Sequence, residues 1–164
     1  MIRLLNPKDA GSFRKIRLEA LKNHPEAFST SFEEEQEFSL ESFEERLNRN
    51  YSYTFGAFEG EKSIGIVTMY VEQRAKLKHR ANIVGMYISQ EKRREGFGRS
   101  LMLEAIKKAK EIERVEQIHL TVTSSNEAAK KLYLSLGFQT YAVDQNALKI
   151  GHTYFDDELM VLKM

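Results

Sequence analysis

The chain contains no cysteine, no tryptophan and only two prolines in 164 residues. Without thiols there can be no disulfide, no thiolate zinc site and no covalent cysteine intermediate. Net charge is also nearly absent, +1 with the histidines neutral. The whole-molecule field therefore gives no reason to expect nucleic acid or a membrane as partner, and electrostatic recognition has to be local. No apolar run approaches the ~18 residues of a membrane span. The first residues, Met1-Ile2-Arg3-Leu4-Leu5-Asn6-Pro7-Lys8-Asp9, lack the long apolar core of a secretion signal. These absences predict a soluble cytoplasmic protein, monomeric or homodimeric. No repeat, linker or low-complexity tract interrupts the chain. Residues 1–164, 41% of them hydrophobic, read as one domain, large enough to bury roughly two-thirds of its unfolded surface.

What is present is a regular succession of elements. Ile2 to Leu5 reads as a short strand that stops at Asn6-Pro7, where Asn6 can cap a helix and Pro7 suits its first position. Phe13, Ile16, Leu18 and Leu21 give that helix an apolar face up to His24-Pro25. Ala27 to Phe32, with the acidic run Glu33-Glu34-Glu35, reads as a loop or lid, and a second helix starts at the Ser39 cap and carries Phe43 and Leu47. Tyr51 to Phe58 and Ser63 to Val71 form a hairpin, and a basic connector, Arg74 to Arg80, leads to a third strand, Asn82 to Ile88. Leu101, Met102, Ala105, Ile106, Ala109 and Ile112 recur at helical spacing. Ile118 to Val122 is strand, Asn126 to Leu136 is helix ending at Gly137, and Phe138 to Val143 and Tyr154 to Leu162 are the last strands. The order β α α β β β α β α β β implies a mixed sheet covered by helices, of the α/β class.

Between the third strand and the long helix stands Arg93-Arg94-Glu95-Gly96-Phe97-Gly98-Arg99-Ser100. Two glycines one residue apart let the backbone turn sharply and approach phosphate oxygens, while the first amides of the following helix remain free to donate. The helix dipole adds roughly half a positive charge there, and three arginines surround the spot. Two readings follow, a cradle for a pyrophosphate and a solvated strand-to-helix turn. The triphosphatase string Gly-x-x-x-x-Gly-Lys-Ser/Thr is absent, and Leu101 stands where a dinucleotide fingerprint needs its third glycine or alanine.

A third pattern fits. Asn82 to Leu103 resembles motif A of the GNAT superfamily of acetyl-CoA-dependent N-acetyltransferases, Arg/Gln-x-x-Gly-x-Gly/Ala, with Arg93, Gly96 and Gly98 at its defined positions. Asn126 to Phe138 resembles motif B, Asn-x-x-Ala-x-x-Leu-Tyr-x-x-x-Gly-Phe. Two departures stand out: Gln90 where proline is frequent and Arg94 where glycine is frequent. The resemblance implies a central, mostly antiparallel sheet with one splayed parallel pair, flanked by about four helices. It implies acetyl transfer to a primary amine by direct attack, with no metal and no acyl-enzyme; a non-catalytic acyl-CoA binding module is the other class it leaves open.

The resemblance also assigns roles. Arg93, Arg94, Glu95, Gly96, Phe97, Gly98, Arg99 and Ser100 would hold the pyrophosphate of coenzyme A. The backbone of Met86, Tyr87 and Ile88, on the splayed strand, would pair with the pantetheine arm and polarise the thioester carbonyl. Tyr133 would protonate or hydrogen-bond the leaving thiolate, and Asn126 would cap its helix or touch the pantetheine. Many relatives carry a basic glutamate on the strand before the loop; here Asn82 occupies that place. A water relay to Glu33, Glu34 or Glu158 is the substitute expected, with His24, His119 and His152 as further candidates. The acceptor site, between the first two helices and the terminal hairpin, would be acidic through Glu33, Glu34, Glu35, Glu37, Asp156, Asp157 and Glu158, and walled by Phe28, Phe32 and Tyr154. That composition favours a cationic acceptor such as a polyamine, an aminoglycoside, a lysine or a peptide amino terminus.

Overall fold

The computed structural model describes residues 1–164. In chain order the elements are β1 (Ile2–Leu4), α1 (Ala10–Asn23), α2 (Phe32–Glu35), α3 (Leu40–Leu47), β2 (Ser52–Glu59), β3 (Lys62–Val71), β4 (Arg80–Ile88), α4 (Phe97–Lys110), β5 (Gln117–Thr123), α5 (Glu127–Ser135), β6 (Gln139–Ile150) and β7 (Thr153–Lys163). The seven strands make one sheet in the order β1-β2-β3-β4-β5-β7-β6. Every neighbouring pair is antiparallel except β4 and β5.

Local chemistry places most boundaries. Asn6 does begin a helical segment, but Pro7–Asp9 is a single 3-10 turn closed by a reciprocal cap, and α1 proper starts at Ala10. Ser39 caps α3 by accepting from the Ser42 amide at 3.1 Å, and Asn126 caps α5 by accepting from Ala129 at 3.2 Å. Helix α4 buries Leu101, Met102, Ala105, Ile106 and Ala109 on one face of the sheet, while α1 and α3 pack Phe13, Ile16, Ala20, Phe43 and Leu47 on the other. Burying a side chain the size of Leu101 or Met102 contributes about 1.5–3 kcal/mol.

Three segments differ from the sequence expectation. The stretch expected as a loop or lid contains α2, held by a Ser31–Glu34 capping box. The third strand begins at Arg80 rather than Asn82, because the end of the basic connector pairs with Gln117. The terminal hairpin is far longer than Phe138–Val143 and Tyr154–Leu162, since backbone pairing carries on through the polar stretch of β6 across a bulge between Asp144 and Leu148. Most of β6 is exposed, so no alternation of polar and apolar residues marks its extent.

Candidate active site

The parallel pair β4–β5 joins only at Arg80↔Gln117, Ala81↔Ile118 and Asn82↔His119, after which the strands part. From Ile83 to Ile88 the edge of β4 facing β5 has no strand partner, although β4 stays paired with β3 on its other edge as far as Gly65↔Ile88. Gly85, at φ +64°, accommodates the irregularity in that pairing. The opening leads to the amino terminus of α4. There Gly96 caps the helix in the left-handed region, φ +87°. The amides of Arg94, Glu95, Gly96, Phe97, Gly98 and Arg99 make no hydrogen bond within the chain; the first to find a partner is Ser100, which donates to the Gly96 carbonyl at 3.1 Å. Ser100 therefore keeps its hydroxyl for a ligand but not its amide.

Gly98 shows why this position must be small. A Cβ there would lie 3.1 Å from Met86 Cε, 3.5 Å from Leu132 Cδ2 and 3.8 Å from Ile88 Cγ1. Met86 and Ile88 thus face α4 and α5, whereas the Tyr87 ring is buried on the opposite face, its hydroxyl 3.4 Å from the Asn23 amide nitrogen. Of the three arginines, Arg93 donates to His24 Nε2 at 2.7 Å and to the Ile88 carbonyl at 3.2 Å, and Arg99 donates to Ser135 Oγ at 3.0 Å. Arg94 has no side-chain partner and sits at φ +66°, a conformation that costs a non-glycine residue about 1 kcal/mol. The preference for glycine at that motif position thus has a local cause.

Tyr133 lies on α5 against the same core, its ring edge-on to Phe138 at 6.2 Å. Burial pushes its phenol up to about 12. The hydroxyl makes no hydrogen bond within the chain, yet it is not sealed off, since the one enclosed and unpaired side-chain polar atom is Arg80 Nε. A neutral phenol with an uncommitted O–H is the arrangement a hydrogen-bond donor needs.

On the face opposite α4, a cavity of about 850 Å³ runs between α1, α3 and the β6–β7 hairpin. Phe28 and Asp157 line it as expected, but Glu33, Glu34 and Phe32 line a separate, smaller cavity beside α2, and Tyr154 is exposed with Lys149 over its ring. Glu35 is fully buried. Arg17 and Arg46 reach it at 3.1 and 2.6 Å. Burial alone would raise its carboxyl, but the hydrogen bonds and charges of the two arginines outweigh burial and hold it below the usual range. The cavity is accordingly not an acidic basin: Arg17, Arg46, Arg49 and Arg80 face it alongside Glu26, Asp144 and Asp157. Burial, then the charges of Asp144 and Asp156, push the Asp157 carboxyl up.

None of the glutamates expected to relay a proton faces the Asn82 row of this cavity. Glu158 is paired with Lys130 at 2.7 Å, and Glu34 accepts from the Ser31 hydroxyl at 2.9 Å. Asn82 instead donates to Glu72 Oε1 at 3.0 Å, and His119 stands directly across the strand pair from Asn82. Its Nε2 is bonded to Gln117 Oε1, an acceptor only, which leaves Nδ1 as the lone-pair nitrogen 3.2 Å from the Tyr141 hydroxyl. Burial, with the nearby charges of Arg80 and His79, lowers the His119 pKa. Arg17, Arg46, Arg49, Arg80 and Tyr141 carried no signal in the sequence, because only the sheet and the packed helices bring them to one cavity.

The fold that holds this site is shared with known proteins. Residues 16–138 match the model of the acetyltransferase (GNAT) family, and the chain belongs to that family. It is 31% identical over 88 residues to an N-alpha-acetyltransferase of Sulfurisphaera tokodaii, an alignment that covers 54% of this chain and only about half, 49%, of that relative. Among solved structures, an acetyltransferase of the GNAT family from Streptococcus pneumoniae is 25% identical, with 100% of this chain and 99% of that one covered and a TM-score of 0.89. A putative acetyltransferase from Salmonella typhimurium, solved with its cofactor acetyl-CoA, superposes with a TM-score of 0.82 over 99% of this chain and 92% of that one at 19% identity, a likeness of fold.

Proposed function

We propose that the protein transfers an acetyl group from acetyl-CoA to a primary amine by direct attack within a ternary complex. One observation carries the reading: six consecutive unpaired amides at the head of α4 open onto a splayed parallel pair, and the large cavity lies on the other face of the same sheet. Acetyl-CoA, the molecule bound in the Salmonella typhimurium neighbour, supplies the activated acetyl group and a thiolate leaving group. The amides of Arg94 to Arg99 and the uncommitted Arg94 guanidinium bind its pyrophosphate, helped by the helix dipole. The exposed edge of β4 at Met86, Tyr87 and Ile88 holds the pantetheine arm, with Asn126 offering its uncommitted amide N–H groups, and a β4 amide donates to the thioester oxygen.

Tyr133 serves the leaving sulfur. Full proton transfer from a phenol near 12 to a thiolate near ~8.5 would be uphill by roughly 5 kcal/mol. Tyr133 therefore stabilises the thiolate as a hydrogen-bond donor. His119 replaces the missing strand carboxylate: its lowered pKa keeps it neutral near pH 7, and Nδ1 takes the proton of the incoming ammonium directly or through the Tyr141 hydroxyl. The curated relative acts, by its name, on α-amines, which makes a peptide amino terminus a leading acceptor class. Thiol release from acetyl-CoA across a panel of amines tests the reading. Release that depends on both substrates is expected; tight binding of acetyl-CoA with no release on any amine would assign the chain to the class of acyl-CoA binding modules.

A further inference from the structure

We propose that the acceptor bears an anionic group, a carboxylate or a phosphate, in addition to its amine, and that Arg80 and Arg49 bind it. The inference rests on reading the large cavity as the acceptor site. Four arginines face that cavity, but two of them, Arg17 and Arg46, are tied to the buried Glu35 as a shared counter-ion. Neither the half-buried Arg80 nor the exposed Arg49 has a carboxylate within ion-pair distance or makes a side-chain hydrogen bond, and of the two it is Arg80 whose burial makes the missing partner informative. Arg80 Nε is, moreover, enclosed by protein and without an acceptor. The two Nη groups of Arg80 are unpaired but not enclosed, so they are the donors that a ligand oxygen in the cavity can reach. Arginine presents its donors in a planar fork that suits a carboxylate or phosphate.

Strand register fixes where this anion site stands relative to the chemistry. Arg80 pairs with Gln117 at the first of the three joined positions, two residues before Asn82, whose partner His119 is the last before the strands part. Two residues of strand span about 7 Å, so Arg80 and His119 stand near enough in the sheet to meet the two ends of one small acceptor. The acids of the cavity stand at its other end, since Asp157 pairs with Thr123, the last residue of β5. An acceptor lying along the strands thus meets Arg80 at one end, where the neighbouring Glu72 is held by Asn82, and Asp157 at the other. The arrangement selects an amine on a short tether from a carboxylate or phosphate, as in an acidic amino-terminal residue or a small amino acid, and disfavours a polycation.

The test separates anion binding from turnover. The protein labelled with ¹⁵N is titrated with succinate and, separately, with inorganic phosphate, while the Arg80 Nε–H resonance, assigned by its loss in Arg80→Gln, is followed. A saturable shift of that resonance is expected, with succinate affinity at least tenfold weaker in Arg80→Gln and in Arg49→Gln. Thiol release is then compared within matched pairs: β-alanine with β-alaninamide, O-phosphoethanolamine with ethanolamine, and peptides beginning with Asp with those beginning with Asn. The anionic member of at least one pair should be preferred tenfold or more in kcat/KM, and that ratio should collapse in either variant. The peptide arm tells a protein or peptide acceptor from a small molecule. An Arg80 resonance that neither anion moves overturns the proposal, as does equal or better use of the neutral members. Saturable anion binding at Arg80 with no thiol release from any amine would uphold the anion site and overturn the transferase reading instead.

Discussion

At the scale of single residues, two side chains divide the proton chemistry. Tyr133→Phe removes only the O–H proposed to meet the leaving sulfur and keeps the ring packed on Phe138. We expect kcat to fall roughly ten- to a thousand-fold while coenzyme A affinity, read by calorimetry, stays within about twofold. A wild-type kcat with chemistry rate-limiting would reduce Tyr133 to a packing residue. His119 predicts the pH profile. A base must be neutral to act, so kcat/KM should decline as pH drops through the His119 pKa, which lies below its ordinary value, placing that acid limb under about pH 6.5. His119→Gln should lower the plateau and abolish the limb, whereas Glu33→Gln, Glu34→Gln and Glu158→Gln should each keep it. A limb that persists in His119→Gln would return the proton to another group.

At the scale of elements, the α4 amino terminus and the buried Glu35 cluster are the two joints on which the sites depend. Gly98→Val drives a branched side chain into Met86, Leu132 and Ile88, already 3.1 to 3.8 Å from a mere Cβ. Coenzyme A binding should become undetectable by calorimetry in a protein whose circular dichroism is unchanged; retained affinity would move the pyrophosphate elsewhere. Glu35→Ala, in contrast, leaves Arg17 and Arg46 facing each other without their shared counter-ion. Removing one partner of such a buried pair costs about 3–5 kcal/mol, to be read from urea denaturation. Because the folded-state pKa of Glu35 is depressed, its contribution is present above the unfolded value near ~4.3 and is lost as pH falls through the folded one. The wild type should therefore lose stability below about pH 4.5 more steeply than the Glu35→Ala variant.

At the scale of the whole molecule, ligand binding should be visible as stabilisation. A ligand held only by the folded state adds about 2.7 kcal/mol at a hundredfold excess over Kd. For a chain of this size that raises Tm by roughly 5–10 °C. Scanning calorimetry with coenzyme A should show this rise in the wild type and in Tyr133→Phe, and none in Gly98→Val. A wild-type Tm unmoved by coenzyme A at millimolar concentration would count against the cofactor site as a whole.

Most of the element order and the glycine turn at the head of α4 were legible in the sequence, because both rest on short-range rules. Caps at Ser39 and Asn126, the helical spacing from Leu101 to Ala109 and the glycines at 96 and 98 act within a few residues of themselves. The length of β6 was not legible, since its pairing with β7 is made by backbone groups and its side chains are largely exposed. Nor was the character of the acceptor cavity. The acidic run at 33–35 is uniform in sequence, yet one turn of helix sends Glu35 into the core between two arginines and leaves Glu33 and Glu34 at another cavity. Asn82, His119 and Tyr141 come from three different strands, and their meeting depends on register, which is a property of the assembled sheet. The sequence by itself determined the turn at which we propose that a pyrophosphate is held, for that needs only a strand, two glycines and the head of a helix. Which charges face the large cavity was decided by tertiary structure alone, because burial chooses which ionised side chains find partners inside the chain and which are left open to it.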